Sequence, residues 1–287
     1  MSDEPKQLTS VADALRLAAE KLKASGISQA SREAKSLLAF VLRKDKIFLV
    51  AHSEYELSAA EEKQFQTVLQ RRTRREPFQY IVGRQEFCRL DFLVTKDVLI
   101  PRPETEMLVE AAIEILKSGA KFCEVGIGSG CIGVSILHKL QTASAIGLDI
   151  SEKALKIAEK NAKSHQVLKR LELKISDVFE SLDDEKFDLI VSNPPYISNK
   201  EMKTLQPEVR IFEPHAALTD GANGFSIIEK IIDSAPKFLK EGGFLLMEIG
   251  FGQAGEVRKM LDRKVWREVE IAPDLQKIPR MIKARIQ

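Results

Sequence analysis

At 287 residues and 44% apolar content, the chain can bury the core of one large domain, or of one domain with a smaller appendage. Forty-four basic residues nearly cancel forty-two acidic ones, and a net charge of +2 gives no general field for gripping a phosphate backbone. Three cysteines, Cys88, Cys123 and Cys131, without C-x-x-C spacing, argue against a disulfide framework or a zinc site and for a reducing, cytoplasmic setting.

The polar start, residues 1–6 with Asp3 and Glu4, is unlike a signal peptide. No run approaches the roughly 18 uninterrupted apolar residues that suggest a membrane span. Residues 1–76 read as a small bundle of helices. Val11, Leu15, Ala18 and Leu22 recur at helical spacing behind Thr9 and Ser10, and Gly26 ends the pattern. A second helix is predicted over 28–43, burying Ala34, Leu37, Leu38 and Val41. Ser58 and Glu61 stand at capping-box spacing before Phe65, Val68 and Leu69 of a third. Arg71, Arg72, Arg74 and Arg75 close it; cations on a solvated helix end are the simpler reading, a docking face for an acidic or RNA-bound partner the other.

Residues 77–104 predict a β-hairpin linker, with strand-like runs at 79–82 and 87–94. Pro101 and Pro103 then precede Thr105, Glu106 and a helix bearing Met107, Leu108, Ala111, Ile115 and Leu116. Through residues 105–287 strands and helices alternate, the pattern of an α/β parallel sheet covered on both faces. Strands are expected at 121–125, 144–150, 171–176, 187–192 and 243–249, with closing strands at 265–271 and 280–286.

The segment from Glu124 through Gly126, Ile127, Gly128, Ser129 and Gly130 follows the first strand of this region and opens a helix. Its glycines allow positive φ and close approach of a ligand to backbone. The spacing is G-x-G-x-G; the dinucleotide fingerprint needs its third glycine where Cys131 stands, and no Gly-Lys-Ser/Thr of a P-loop follows. Asp149, about 20 residues on, can accept hydrogen bonds from both hydroxyls of a ribose, so a nucleoside without phosphate suits the pair. A helix-start charge beside Ser151 is the simpler role for Asp149. Asp177 and Val178, after the next strand, stand where an adenine amine and face would be met, although an Asp at a strand end is commonly a turn residue.

Asn193-Pro194-Pro195-Tyr196 leaves the end of the fourth strand. Two prolines remove two donors and restrict φ, so carbonyls are left free at a set orientation. An amide nitrogen is a poor nucleophile that carries two N–H donors. The Asn193 side-chain carbonyl and the Pro194 carbonyl can take one each and line the nitrogen up with a sulfonium methyl, while Tyr196 covers the planar group. Alone, Asn-Pro-Pro reads as a turn; its order behind the glycine loop and Asp149 favours the acceptor role. Glu248 could face this site or cap a buried carbonyl. His52, His138, His165 and His215 do not cluster, so no metal is expected.

With these motifs, and with Pro101-Arg102-Pro103-Glu104-Thr105-Glu106, Glu213-Pro214-His215-Ala216-Ala217-Leu218, Asp220-Gly221 and Gly224, the chain resembles the HemK/PrmC family of protein-(glutamine N5) methyltransferases, which modify class 1 peptide chain release factors. The resemblance spans nearly the whole chain. It implies a seven-stranded Rossmann-like class I methyltransferase sheet with a small N-terminal helical bundle that docks the substrate. It implies S-adenosylmethionine as cofactor, with S-adenosylhomocysteine as product, touched by Gly126, Ile127, Gly128, Ser129, Gly130, Asp149, Asp177, Val178 and Asn193. The glutamine of a Gly-Gly-Gln motif would be held by Asn193, Pro194, Pro195 and Tyr196, with Asn193, Pro194 and Tyr196 catalytic and Arg102 and Glu104 near the substrate channel.

Two departures stand out: Glu124 where the family more often has Asp, and no Gly-Arg-Asp-Arg-like stretch in residues 275–280. The alternative, adenine-N6 methylation of DNA or RNA, asks for a target-recognition insertion or a basic, aromatic-studded face, and only Arg71 to Arg75 hint at one. A non-catalytic binding module would not need complete cofactor and acceptor motifs. A cytoplasmic monomer with a release factor as partner, no membrane and no direct nucleic-acid substrate is expected.

Overall fold

The computed structural model describes residues 10–287; Thr9 and the polar start at 1–6 lie outside them. The chain forms two units. One runs to Gly83 and takes in Pro207–Phe212; the other comprises Arg84–Gln206 and Glu213–Gln287.

The first unit is helical. Helices α1 (Val11–Ala24), α2 (Ala30–Leu42), α3 (Lys46–Ala51), α4 (Ala59–Thr73) and α5 (Phe78–Val82) enclose Leu22, Leu37, Leu38 and Phe65, all fully buried. Ser10 caps α1 by accepting from the Asp13 amide, and Gly26 turns the chain at φ +79°. The expected capping box of Ser58 and Glu61 is present in full. Two expectations fail here. Residues 79–82 are helix rather than strand, and the short α3 was not foreseen.

The solvated reading of the arginines also fails for most of them. Arg72 is 5% exposed, and its guanidinium meets Glu33 and, at 3.1 Å, Glu208. Arg75 holds the other Glu208 oxygen at 2.7 Å and the Ser25 and Gly26 carbonyls, and Arg71 pairs with Glu76. Glu208 lies on the segment Pro207–Phe212, so this cluster fastens that segment into the helical unit. Burial alone would raise the Glu208 carboxyl, but hydrogen bonds from Arg75 and Arg72 outweigh it and hold the pKa below the glutamate range. A depressed carboxyl contributes stability above its unfolded pKa and loses it as pH falls through the folded one. Acid should therefore loosen this unit below the ordinary glutamate value of about 4.3. Arg72→Ala leaves two carboxylates short of a partner and should cost about 3–5 kcal/mol, read as a lowered thermal midpoint; an unchanged midpoint would show the cluster to be idle.

The second unit opens with an antiparallel hairpin, β1 (Arg84–Phe87) and β2 (Leu90–Leu93). Its two-residue turn places Cys88 and Arg89 at φ 50° and 63°, and Glu106 accepts from the Cys88 amide at 2.8 Å. Seven further strands form one sheet: β3 (Lys121–Val125), β4 (Ser144–Asp149), β5 (Leu171–Ile175), β6 (Phe187–Ser192), β7 (Leu239–Glu248), β8 (Trp266–Pro273) and β9 (Pro279–Ile286). Their order is β5-β4-β3-β6-β7-β9-β8, with β9 antiparallel between β7 and β8. β3, β4 and β6 bury nearly every residue, as strands covered on both faces must.

One face packs on α6 (Glu106–Ile115), α7 (Cys131–Lys139) and α8 (Glu152–Ser164). The other packs on α11 (Ser226–Phe238) and α12 (Ala254–Met260), numbered after the short α9 (Asn199–Met202) and α10 (Pro207–Phe212). α6 buries Leu108, Val109 and Ala112; of the expected face, Leu108 and Leu116 are buried and Met107, Ala111 and Ile115 pack partly buried against the same core. The turn between β8 and β9 manages without a Gly-Arg-Asp-Arg stretch, because Asp274 accepts from the Gln276 and Ile278 amides while Lys277 takes φ 63°. No described helix is long and apolar enough to cross a membrane.

Candidate active site

The strand order reverses between β3 and β6: successive strands run outward on one side through β4 and β5, and on the other through β7. Open α/β sheets bind ligands at the carboxyl ends of strands beside such a switch point. Val125 and Ser192, the last residues of β3 and β6, pair directly, and the buried Ser192 hydroxyl donates to the Val125 carbonyl at 2.8 Å. The glycine loop and the Asn-Pro-Pro-Tyr segment therefore leave the sheet side by side.

A cavity of about 350 Å3 opens at this edge, inside the range of small-ligand pockets. Gly126, Ile127, Gly128, Ser129, Asp149, Asp177, Val178, Asn193, Pro195 and Arg102 line it; Gly130, Pro194, Tyr196 and Glu104 do not. Gly126, Gly128 and Gly130 all have positive φ, and a Cβ at Gly126 or Gly128 would meet nothing nearer than 4.0 Å. At those two positions glycine keeps space open rather than avoiding a clash.

Asp149 accepts from the Gly128 amide at 2.8 Å and the Ser151 amide at 2.9 Å. Burial raises its carboxyl above the usual aspartate range, partly offset by those amides. Both the helix-start role and the cavity position hold at once, since two bonds leave further lone pairs on a carboxylate. Glu124 reaches the same wall; it is 1% exposed, accepts from the Gly133 amide at 2.7 Å, and burial lifts its pKa well above normal. Val178, a β-branched residue, sits at φ 54°, a conformation that costs roughly 1–2 kcal/mol and is held by its surroundings at the cavity rim. Asp177 spends one oxygen on Lys230 at 2.8 Å. Asn161, which the sequence reading overlooked, is 2% exposed, exchanges bonds with both backbone groups of Leu93 and donates to the Ser129 carbonyl, tying the hairpin to the glycine loop.

The second wall is the acceptor corner. Asn193 donates Nδ2 to Thr105 Oγ1 at 3.1 Å, and its Oδ1 takes no donor among the described residues. Pro194 is buried. The Tyr196 hydroxyl donates to Glu248 at 3.0 Å, and burial and that carboxyl push its pKa up. Gln253 donates to the Tyr196 and Gly224 carbonyls at 3.0 and 3.1 Å and so latches the corner to the segment after Glu213. Arg102 pairs with the buried Glu213, which also accepts from the Ile100 amide at 3.1 Å. Two motifs more than a hundred residues apart in sequence thus meet at the cavity. His138 and His165 approach at 6.2 Å, yet among the described residues no group of three or more His, Cys, Asp or Glu could hold a metal ion.

Comparison with known proteins finds a PrmC N-terminal domain over residues 13–83 and a methyltransferase small domain over 103–221. The chain is 41% identical to a release factor glutamine methyltransferase of Geobacter sulfurreducens over 91% of both chains. It is also 41% identical to one of Cereibacter sphaeroides, over 96% of this chain and 98% of that one. The chain belongs to the release factor glutamine methyltransferase family. A methyltransferase of Pyrococcus furiosus, at 15% identity and a TM-score of 0.52 over 68% of this chain and 88% of that one, shares the fold. Asn161 and Gln253 have no local sequence signal for their place in the site, and Thr105 has only that of the Pro101–Glu106 segment; each acts through a partner at least 29 positions away.

Proposed function

We propose that this chain transfers a methyl group from S-adenosylmethionine to the side-chain amide nitrogen of the glutamine in the Gly-Gly-Gln motif of class 1 peptide chain release factors. The observation that carries the reading is the Asn193 carboxamide, whose nitrogen is engaged by Thr105 and whose oxygen is left free on the wall of the cavity. The cavity residues fit the cofactor: open glycine positions at 126 and 128 admit a bulky nucleoside, and Asp149 retains lone pairs for ribose hydroxyls. S-adenosylmethionine, when bound, supplies an electrophilic methyl on a sulfonium.

The chain's own groups orient and desolvate the acceptor. Asn193 Oδ1 accepts one N–H of the glutamine carboxamide, and the Pro194 carbonyl, which takes no turn or loop backbone donor among the described residues, accepts the other. Held in this way, the nitrogen presents its lone pair in one direction. Orientation of this kind can be worth up to about 7–11 kcal/mol. No strong general base is needed, because the nitrogen becomes acidic as the new bond forms and its proton leaves to water. The free cysteines fit a reducing, cytoplasmic setting for a monomeric enzyme.

The test is transfer of labelled methyl to four candidate acceptors: an intact release factor, the same factor with its glutamine replaced, tRNA and DNA. Label on the intact factor alone is expected. Label on nucleic acid would move the assignment to adenine-N6 methylation. Asp149→Ala should weaken cofactor binding by on the order of 10–10²-fold, the worth of hydrogen bonds to a charged group; calorimetry showing an unaltered dissociation constant would remove the ribose role.

A further inference from the structure

The nitrogen side of Asn193 is anchored by hydrogen bonds that end on one buried carboxylate. Glu248, the last residue of β7, is 2% exposed. Its Oε2 accepts from the Thr105 hydroxyl at 2.6 Å and its Oε1 from the Tyr196 hydroxyl at 3.0 Å. Thr105 is as buried, at 2%, and its Oγ1 accepts from Asn193 Nδ2 at 3.1 Å. Burial raises the Glu248 carboxyl above the usual glutamate range, and the hydrogen bonds from Thr105 and Tyr196 work against that rise; in its ionised form it has no proton to give, so both hydroxyls donate to it. Thr105 has one proton, already committed to Glu248, and toward Asn193 it can only accept. Asn193 must then present its NH2 to Thr105 and its oxygen elsewhere.

We propose that Thr105 and Glu248 are positioning residues for methyl transfer: Glu248 sets the hydrogen-bond direction at Thr105 and Tyr196, and Thr105 imposes that direction on the Asn193 carboxamide. The inference rests on the reading of Asn193 as the acceptor of a substrate N–H. The two ends of a carboxamide have nearly the same shape, so without the relay the group can rotate by half a turn at little steric cost. Rotated, it offers N–H donors to a glutamine that itself offers N–H donors, and the nitrogen is no longer held. The same polarity separates substrates. An oxygen-presenting Asn193 rejects a glutamate side chain, which has only acceptors at neutral pH, whereas a freely rotating one accommodates it.

Thr105→Val keeps the shape and removes the hydroxyl, while Thr105→Ser keeps the hydroxyl. The valine variant should lose kcat on the order of 10–10²-fold, with the cofactor dissociation constant close to the parent protein and a lowered thermal midpoint, because the buried Glu248 loses a donor; the serine variant should restore most of the turnover and the midpoint. A release factor carrying glutamate in place of the target glutamine should compete with substrate better in the valine variant than in the parent. Added to Asn193→Ala, Thr105→Val should cost nothing more, because it acts only through that side chain. Equal impairment of the serine and valine variants, additive losses in the double variant, or a valine variant with parental turnover would each overturn the relay. Parental turnover in Asn193→Ala itself would instead overturn the acceptor reading beneath it.

Discussion

Asn193→Ala is expected to lower kcat by on the order of 10²–10³-fold, the usual cost of deleting one preorganised polar partner of the reacting group. Cofactor affinity should change little, because the glycine loop and Asp149 are arranged by bonds that do not involve Asn193. Stability should be nearly unaffected as well: the lost bond to Thr105 is neutral, and Thr105 still donates to Glu248. Steady-state turnover on a release factor, with a parallel calorimetric titration of cofactor, separates these outcomes. Turnover within a few-fold of the parent protein would remove Asn193 from the chemistry.

Gly224→Ala should be nearly as damaging, although Gly224 touches no reactant. Its φ is +86°, and a Cβ there would run into the Tyr196 backbone carbonyl. Asp220 accepts from the Ala222, Gly224 and Ser226 amides, so the turn cannot easily retreat. Those amides hold the Asp220 carboxyl below the usual aspartate range against the opposing effect of burial. Gln253 clamps the same two carbonyls from the other side. The corner must therefore shift, and a displacement near 1 Å at a reacting centre can cost on the order of 10²-fold in rate. Gly221→Ala is the matched comparison. It has φ +76° with no atom within 4 Å of the added Cβ, so it carries the conformational penalty of roughly 1–2 kcal/mol without the collision. Equal turnover in the two variants would show that strain alone, and not contact with Tyr196, sets the effect.

Much of the catalytic half was legible in the residues because its signals are local. The predicted strands at 121–125 and 187–192 coincide with β3 and β6, since short apolar runs ending at a turn leave little choice of boundary. The glycine loop and Asp149 were paired by spacing, and they are joined by the Gly128 amide. Arg72 escapes a local reading for the opposite reason. Its position at a helix end suggested solvent, but its partner Glu208 stands 136 residues away and no local pattern could announce it. Residues 79–82 looked extended because Tyr80, Ile81 and Val82 are strand formers; Ile81 packs in the helical core, and Gly83 at φ +78° ends a single turn of helix there. The partner of the Tyr196 hydroxyl, Glu248, stands 52 positions on, and nothing in the motif announces it.

The peptide passes between the two units three times, at 83–84, 206–207 and 212–213. Inheritance of the helical unit as a cassette is thereby restricted. A recombination that exchanged only the first eighty-three residues would bring in foreign arginines to meet the old Glu208. Arg72, Arg75 and the six-residue insertion from Pro207 to Phe212 must drift together, so a change at one of these positions should be followed by compensation at the other, far along the gene.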